Sequence, residues 1–137
     1  MRKIINSYGF TLLELLIVLA IVAILTITAY PAYSTYITKV RRANAAVAIL
    51  DLAARMEQYY ADHHSYHGAT LQNLRVKNDV NNSYSLQINA ESATTYLIEA
   101  KPVDVQVNAD QTCGSLMLDQ LGDRMISGRG DINECWR

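Results

Sequence analysis

The sequence predicts an α+β protein in which a long N-terminal helix packs on an antiparallel β-sheet of about four strands. Residues 15–33 carry no charged side chain, and from residue 10 to residue 62 the only helix breaker is Pro31. After residue 83, short segments alternate apolar and polar side chains, which is typical of half-buried strands. We therefore expect the apolar first half of the helix to protrude and the amphipathic second half to hold the sheet.

Composition limits the classes of function. The 137 residues suffice for one domain of ordinary size, and the formal charge of −1 predicts no bulk attraction to nucleic acid or to an anionic membrane. The sequence has no recognisable nucleophile elbow and no glycine-rich phosphate loop. These observations argue against an enzyme, and we expect no cofactor and no small-molecule substrate.

The apolar segment, residues 15–33, is long enough at ~1.5 Å per residue to cross the hydrocarbon core of a bilayer. An ordinary secretory signal has a shorter apolar region, about 7–15 residues, followed by an A-x-A-like cleavage site. A plain single-span anchor remains open. Its orientation is ambiguous because basic residues flank the segment on both sides. They are Arg2 and Lys3 before it, and Lys39, Arg41 and Arg42 after it.

Glu14 is a carboxylate at the start of this apolar segment. A lone carboxylate in an apolar helix costs roughly 2.5–3.5 kcal/mol on insertion scales, so Glu14 needs either the headgroup layer or a cationic partner. No lysine or arginine lies between Lys3 and Lys39. Cleavage after Gly9 would create a partner, because Phe10 would then bear a free α-amine. Pairing of this amine with Glu14 of another helix would fix the register of a helix bundle.

A short basic leader, MRKIINSYG, precedes the sequence FTLLE at residues 10–14. This arrangement resembles the type IV prepilins, and the resemblance implies a pilin fold. It implies that a membrane aspartyl prepilin peptidase removes leader residues 1–9 by cutting after Gly9 and then N-methylates Phe10. It also gives Glu14 a role in subunit recruitment and filament register. The expected location is the inner membrane, as a single-pass precursor with its head in the periplasm, and then a pilus on the cell surface.

On this basis residues 10–37 are the apolar membrane and filament-core helix, and residues 38–137 are the globular head. Pro31 lacks a backbone N–H, which predicts a helix kink near residues 27–31. The kink is either a simple bend at the membrane boundary or, as the resemblance favours, a point where the helix unwinds in the filament.

The amphipathic helix is expected over residues 38–62. Its apolar side chains recur at a 3–4 spacing, which predicts the stripe that faces the sheet. That stripe comprises Val40, Ala43, Val47, Leu50 and Ala54. The polar remainder comprises Arg41, Arg42, Asp51, Arg55 and Asp62.

The predicted sheet occupies residues 84–126, with polar turns between its strands. The strand candidates are residues 84–88, 94–100, 115–119 and 123–126. A polar loop, residues 63–83, joins the helix to the sheet. The loop contains His63, His64 and His67, but no carboxylate or cysteine stands at a familiar ligand spacing beside them. We therefore expect a solvated loop and no metal site.

Cys113 and Cys135 are the two cysteines of the chain. One cysteine pair in an exported domain usually forms one disulfide, and the leader implies export. The region 113–135 also resembles the disulfide-bounded C-terminal region of type IVa pilins. The ending CWR, together with TCG and DQLGDR, resembles the PilE-like minor pilins.

Three functions remain open. The first is a structural subunit of a type IVa pilus, either a major pilin or, as the resemblance favours, a minor pilin, that serves pilus biogenesis, twitching motility and adhesion. It would associate with other pilins, the prepilin peptidase and the inner-membrane assembly platform. The second is a DNA-receptor pilin for natural transformation. The third is a type II secretion pseudopilin, against which the cysteine pair argues.

Basic residues of the head are the candidate DNA contacts. They are Arg75, Lys77, Lys101, Arg124 and Arg129. Neighbouring acidic residues, such as Asp119 and Asp123, dilute the positive charge of such a patch. The tripeptide at residues 129–131, Arg-Gly-Asp, matches an integrin ligand, but a three-residue match arises easily by chance.

Overall fold

The long helix α1 spans Leu12–His63 and contains 52 residues. The computed structural model describes residues 9–137, with the backbone alone for Ala90. The chain divides into two units, Met1–Thr35 and Tyr36–Arg137. In the first unit the large apolar side chains from Phe10 to Ile27 are exposed, and the helix is long and apolar enough to cross a membrane. These features agree with the predicted apolar segment.

The helix continues through Pro31. The Pro31 carbonyl accepts hydrogen bonds from Ser34 Oγ and Thr35 Oγ1, each at 3.0 Å. One turn earlier, Thr26 Oγ1 donates to the Val22 carbonyl at 2.7 Å. Such bonds satisfy hydroxyl groups within an apolar helix and favour local bending. The kink near residues 27–31 stays a prediction.

The sheet contains five antiparallel strands in the order β1-β2-β3-β4-β5. The strands are β1 Asp79–Val80, β2 Tyr84–Glu91, β3 Tyr96–Pro102, β4 Leu116–Asp119 and β5 Arg124–Ile126. Each strand pairs with its neighbour in the sequence. The antiparallel sheet on a long helix is confirmed, and four of its strands coincide with the predicted segments to within a few residues.

Strand β1 corrects the prediction that residues 63–83 form only a loop. Its two residues pair with β2 in the register Asp79↔Ser85 and Val80↔Tyr84. Asn81 and Asn82 make the turn with φ of 51° each, a left-handed conformation that asparagine tolerates better than most residues. A strand of two residues is too short to show an alternating pattern, so periodicity could not reveal it.

The face of α1 that packs on the sheet differs from the predicted stripe. Val47 is 66% exposed and Leu50 is 46% exposed, so the stripe that contains them was wrongly assigned to the core. The buried positions are Arg42, Ala45, Ala46, Ile49, Leu52 and Met56. They join one core cluster with sheet residues that include Leu86, Ile98, Ala100, Leu116 and Leu118. Both faces of the helix carry apolar side chains, and periodicity alone cannot select between them.

Two one-turn helices were not predicted. Helix α2 spans Val105–Ala109, partly where a turn was expected, and α3 spans Ile132–Cys135. The Asp131 carboxylate caps α3, because its oxygen accepts from the backbone N–H groups of Asn133 and Glu134 at 2.8 and 3.2 Å. Elements this short leave no helical periodicity in the sequence.

A buried polar network fastens α2 to α1. Arg42 Nη1 lies 2.6 Å from Asp110 Oδ1, and both side chains are at least 90% buried. Tyr84 OH donates to Asp110 Oδ2 at 2.9 Å. Gln106 Nε2 donates to the Thr38 carbonyl at 3.1 Å and to Tyr84 OH at 3.2 Å. Arg42, assigned to the polar face by the sequence, therefore lies inside the head, where Asp110 compensates its charge.

The predicted disulfide is confirmed. Cys113 and Cys135 are buried and bonded, with a Cα–Cα distance of 5.6 Å. Gly128 and Gly130 let the segment between the two cysteines pass close to Thr112 and Cys113. A Cβ atom at Gly128 would lie 2.1 Å from the Thr112 carbonyl oxygen, and the Gly130 N–H donates to that oxygen at 2.8 Å.

Removing this disulfide should destabilise the head. We expect Cys113→Ser to lower the free energy of unfolding by about 3 kcal/mol, because the reduced chain gains conformational entropy when unfolded. Denaturant unfolding of the full chain in detergent, followed by near-ultraviolet circular dichroism, measures this change. Reduction of the unmodified chain is the control and should produce the same shift. An unchanged unfolding midpoint after reduction would contradict the prediction.

Candidate functional site

The N-terminal motif lies at the start of α1. Gly9 and Phe10 precede the helix and are exposed, and residues 1–8 of the expected leader lie outside the described residues. Thr11 Oγ1 accepts a hydrogen bond from the Glu14 backbone N–H at 3.2 Å. This Thr-x-x-Glu arrangement matches a capping box, and a carboxylate in the first turn is favoured by the helix dipole. Sequence reasoning missed this local reason for a glutamate at position 14.

The described head contains a cleft of about 550 Å³ between the end of α1 and the loop that follows it. Its lining residues are Arg55, Gln58, Tyr59, Asp62, His63, Asn73, Leu74 and Arg75. Arg55 Nη1 donates to the Leu74 carbonyl at 3.1 Å, and Arg55 Nε lies 2.9 Å from Asp51 Oδ2. Arg55 thus connects Leu74, the loop residue before Arg75, to helix α1.

Aromatic rings form one wall of the cleft. The rings of Tyr59 and His63 stack with centroids 4.0 Å apart and an interplanar angle of 12°. Tyr59 OH donates to the His67 carbonyl at 3.4 Å.

The backbone of Arg75, on the loop side of the cleft, has φ of 56°, a left-handed conformation uncommon for arginine. The cleft therefore combines two arginines, stacked rings and the carboxylate of Asp62.

A tyrosine cluster anchors the loop on which Arg75 lies. Glu57 Oε1 accepts from Tyr66 OH at 2.9 Å and from Tyr96 OH at 3.1 Å, and the two rings meet edge to face. Burial, with the hydrogen bond to Glu57, raises the pKa of Tyr66 to about 12. Burial also raises the pKa of Tyr96, so both phenols remain hydrogen-bond donors to Glu57 well into the alkaline range. The loop is fixed to both α1 and β3.

The sheet separates two of the predicted DNA contacts. Lys101 follows buried Ala100 and therefore points to the outer face, whereas Arg124 is paired with buried Leu118 on the opposite face. Arg124 lies over the Trp136 ring, 5.3 Å from its centroid. The structure thus does not gather the five basic residues into one patch.

The remaining predicted contacts lie in loops. Arg75 lines the cleft, and Lys77 follows it, exposed, in the same loop. Arg129 is exposed in the disulfide-bounded region. Sequence reasoning missed Arg55 and Tyr59, although their i, i+4 spacing places them on one helix face.

Glu99 offsets the charge of Lys101 on the outer sheet face. Burial alone would raise the pKa of Glu99, but hydrogen bonds from Ser115, Asn89 and Gln87, together with the Lys101 charge, hold it below its usual value. The carboxylate therefore stays ionised two residues from Lys101, and it reduces the attraction that Lys101 offers an anion.

Local structure accounts for the Arg-Gly-Asp tripeptide. The Asp131 carboxylate caps α3, and Gly130 lies against the disulfide, where an added Cβ would approach Cys135 Sγ to 3.1 Å. Over residues 9–137, no group of three or more histidine, cysteine, aspartate or glutamate side chains is placed to hold a metal.

Comparison with known proteins gives two sequence matches and a similar fold. Residues 31–117 match the family described as "Type IV minor pilin ComP, DNA uptake sequence receptor", and residues 5–30 match the "Prokaryotic N-terminal methylation motif". No curated protein matches. The crystal structure of the non-core minor pilin PilV from Neisseria meningitidis has a similar fold, with a TM-score of 0.56. The two chains are 21% identical, over 69% of this chain and 90% of that chain.

Proposed function

Because this chain belongs to the type IV minor pilins of the ComP family, we propose that its head binds DNA during uptake through a type IV pilus. The methylation motif and the pilin-like fold confirm the predicted family and fold. The description of the matched family favours a DNA receptor over a purely structural subunit and over a secretion pseudopilin. The narrower likeness to PilE-like minor pilins stays a prediction.

The N-terminal region supports a membrane-held precursor. In our proposal, prepilin peptidase cuts after Gly9 and N-methylates Phe10, while the apolar half of α1 keeps the subunit in the inner membrane with its head in the periplasm. The assembly platform then transfers the subunit to other pilins, where Glu14 meets the amine of a neighbouring Phe10. The exposed Gly9–Phe10 junction and the unburied apolar side chains support this sequence of events.

The cleft lined by Arg55 and Arg75 is the observation that carries the DNA proposal. Arginine suits phosphate because its planar guanidinium presents several donors to the phosphate oxygens. Arg75 is exposed, and the loop that holds it is anchored by the Tyr66 and Tyr96 phenols. A site that is fixed before binding loses little conformational entropy when DNA arrives.

The rest of the cleft suits a nucleic acid as well. The stacked pair of Tyr59 and His63 offers a flat aromatic wall for contact with sugar or base. Lys77, two residues after Arg75, extends the positive charge along the same loop. Asp62 and Asp51 reduce the net charge, which limits non-specific affinity for a polyanion.

The test is DNA binding by the full chain in detergent, measured by fluorescence anisotropy with labelled double-stranded DNA over a series of salt concentrations. We expect Arg75→Gln to weaken binding about 10-fold and to lower the salt slope by about 1, as for one lost phosphate contact. Glutamine keeps an unbranched polar side chain at this strained position and removes the charge. Lys101→Gln is the matched control, with the same change of charge on the outer sheet face.

Equal losses from Arg75→Gln and Lys101→Gln would contradict the assignment to the cleft. An unmodified chain without measurable DNA affinity at physiological salt would favour a purely structural subunit. The chain's place among the type IV minor pilins does not depend on either result.

A further inference from the structure

A second cavity, of about 270 Å³, lies where the head begins along the chain. Its lining residues are Lys39, Arg42, Glu134 and Arg137. Three cationic side chains thus face one carboxylate. Residues 15–38 carry no charge, so Lys39 is the first charged residue after the apolar segment. A cation at that position of a membrane-held chain lies at the depth of the lipid phosphates.

Arg42, which lines this cavity, is a buried arginine with an unsatisfied hydrogen-bond donor. The residue is only 8% exposed, and its Nη1 is paired with Asp110. Its Nε has no hydrogen-bond partner among the described residues. A buried guanidinium N–H without an acceptor is rare because desolvation without a hydrogen bond is costly. Asp110 and Glu134 offset two of the three cations. The cavity still presents the unsatisfied N–H of a buried guanidinium beside Lys39 and Arg137, which favours an anionic oxygen as its ligand.

Helix α2 adds an apolar component beside the same turn of α1. Gln106 donates to the Thr38 carbonyl, and Asp110 pairs with Arg42, so α2 lies along residues 38–42. The neighbouring side chains of Val105 and Val107 are 67% and 47% exposed. Exposed valines on a helix that is bonded to the start of the head suit the boundary between headgroups and acyl chains, where apolar side chains and cations are both stabilised.

We propose that this cavity binds the phosphate of an anionic phospholipid while the subunit is held in the membrane. The proposal rests on the membrane-held stage of the proposed function and is independent of DNA binding. Lys39 and Arg137 supply charge at the cavity wall, and Glu134 limits how strongly the site holds its ligand. The lipid must leave when the subunit enters a filament, so moderate affinity suits the site.

Native mass spectrometry of the full chain in detergent, titrated with phosphatidylglycerol, tests this proposal by counting bound lipids. We expect one lipid per chain at saturation and about 5-fold weaker binding for Lys39→Gln, as for one basic residue at an anionic surface. Arg41→Gln is the matched control, because Arg41 lies two residues after Lys39 but does not line the cavity. We expect less than a 2-fold effect from it, and DNA binding should be unchanged in both variants.

Three outcomes would overturn the proposal. Equal weakening by Arg41→Gln would mean that the lipid responds only to general surface charge. Equally tight binding of phosphatidylcholine would mean that the anionic character of the lipid is irrelevant. Displacement of the lipid by an equimolar concentration of inorganic phosphate would make the cavity a site for free anions.

Discussion

Glu14→Val should leave the subunit in the membrane but prevent its incorporation into pili. Valine removes a carboxylate from an apolar helix, so insertion should be at least as favourable as in the unmodified chain. In the proposed filament pairing, the same change would leave the Phe10 amine of a neighbour without its partner, which would cost roughly 3 kcal/mol or more. Membrane fractionation should show normal subunit levels, and sheared pili should contain about 100-fold less of the subunit.

The capping contact at Thr11 suggests a sharper control. Glu14→Gln keeps the size of the side chain and the backbone hydrogen bond to Thr11 Oγ1, but it removes the charge. If pairing with the Phe10 amine drives assembly, glutamine should fail as valine does. Normal incorporation of the glutamine variant would instead assign Glu14 to the helix N-terminus, and the pairing proposal would be abandoned.

Asp110→Ala should be among the most destabilising single substitutions in the head. It would leave the Arg42 guanidinium buried without its counter-charge and would remove the acceptor for Tyr84 OH. We expect a loss of about 3–5 kcal/mol in the free energy of unfolding. Denaturant unfolding of the full chain in detergent, monitored through the signal of the single tryptophan, measures it.

Two further variants isolate the cause of this loss. Asp51→Ala breaks the exposed pair with Arg55, in which both side chains are more than 40% exposed, and should cost less than about 1 kcal/mol. Replacing both buried partners, as Arg42→Met with Asp110→Leu, should recover most of the stability because no unpaired charge remains. A double variant as unstable as Asp110→Ala would show that the unpaired charge is not the cause, and that packing or the lost acceptor for Tyr84 OH governs the site.

The features that the sequence predicted are those with a long or chemically distinctive signal. The uncharged run of residues 15–33 indicates a helix by its length, and alternation marks β2 and β3 because each extends over at least seven residues. Gly9, Phe10 and Glu14 lie within the segment, residues 5–30, that matches the N-terminal methylation motif. The disulfide could be predicted because the chain has two cysteines and the leader implies export.

The features that the sequence did not predict depend on contacts between distant residues. Arg42 is separated from Asp110 by 68 positions, so a residue typical of a solvated helix face could not be recognised as buried. The buried face of α1 was misassigned because two apolar pairs, Ile49 with Leu52 and Val47 with Leu50, have the same i, i+3 spacing. The sequence pattern alone does not show which pair packs on the sheet. The cleft forms only when the loop folds back and places Arg75 near Arg55.

The order of the strands has a consequence for how the head folds. Because every strand pairs with its neighbour in the sequence, the sheet can form from local hairpins with small losses of loop-closure entropy. Docking of α1 instead requires contacts between residues that are far apart in the sequence, such as Arg42 and Asp110. We therefore expect the sheet to form early and the docking of α1 to limit the folding rate. If α1 is already held in a bilayer, the sheet would then be complete before it packs on the amphipathic half of α1.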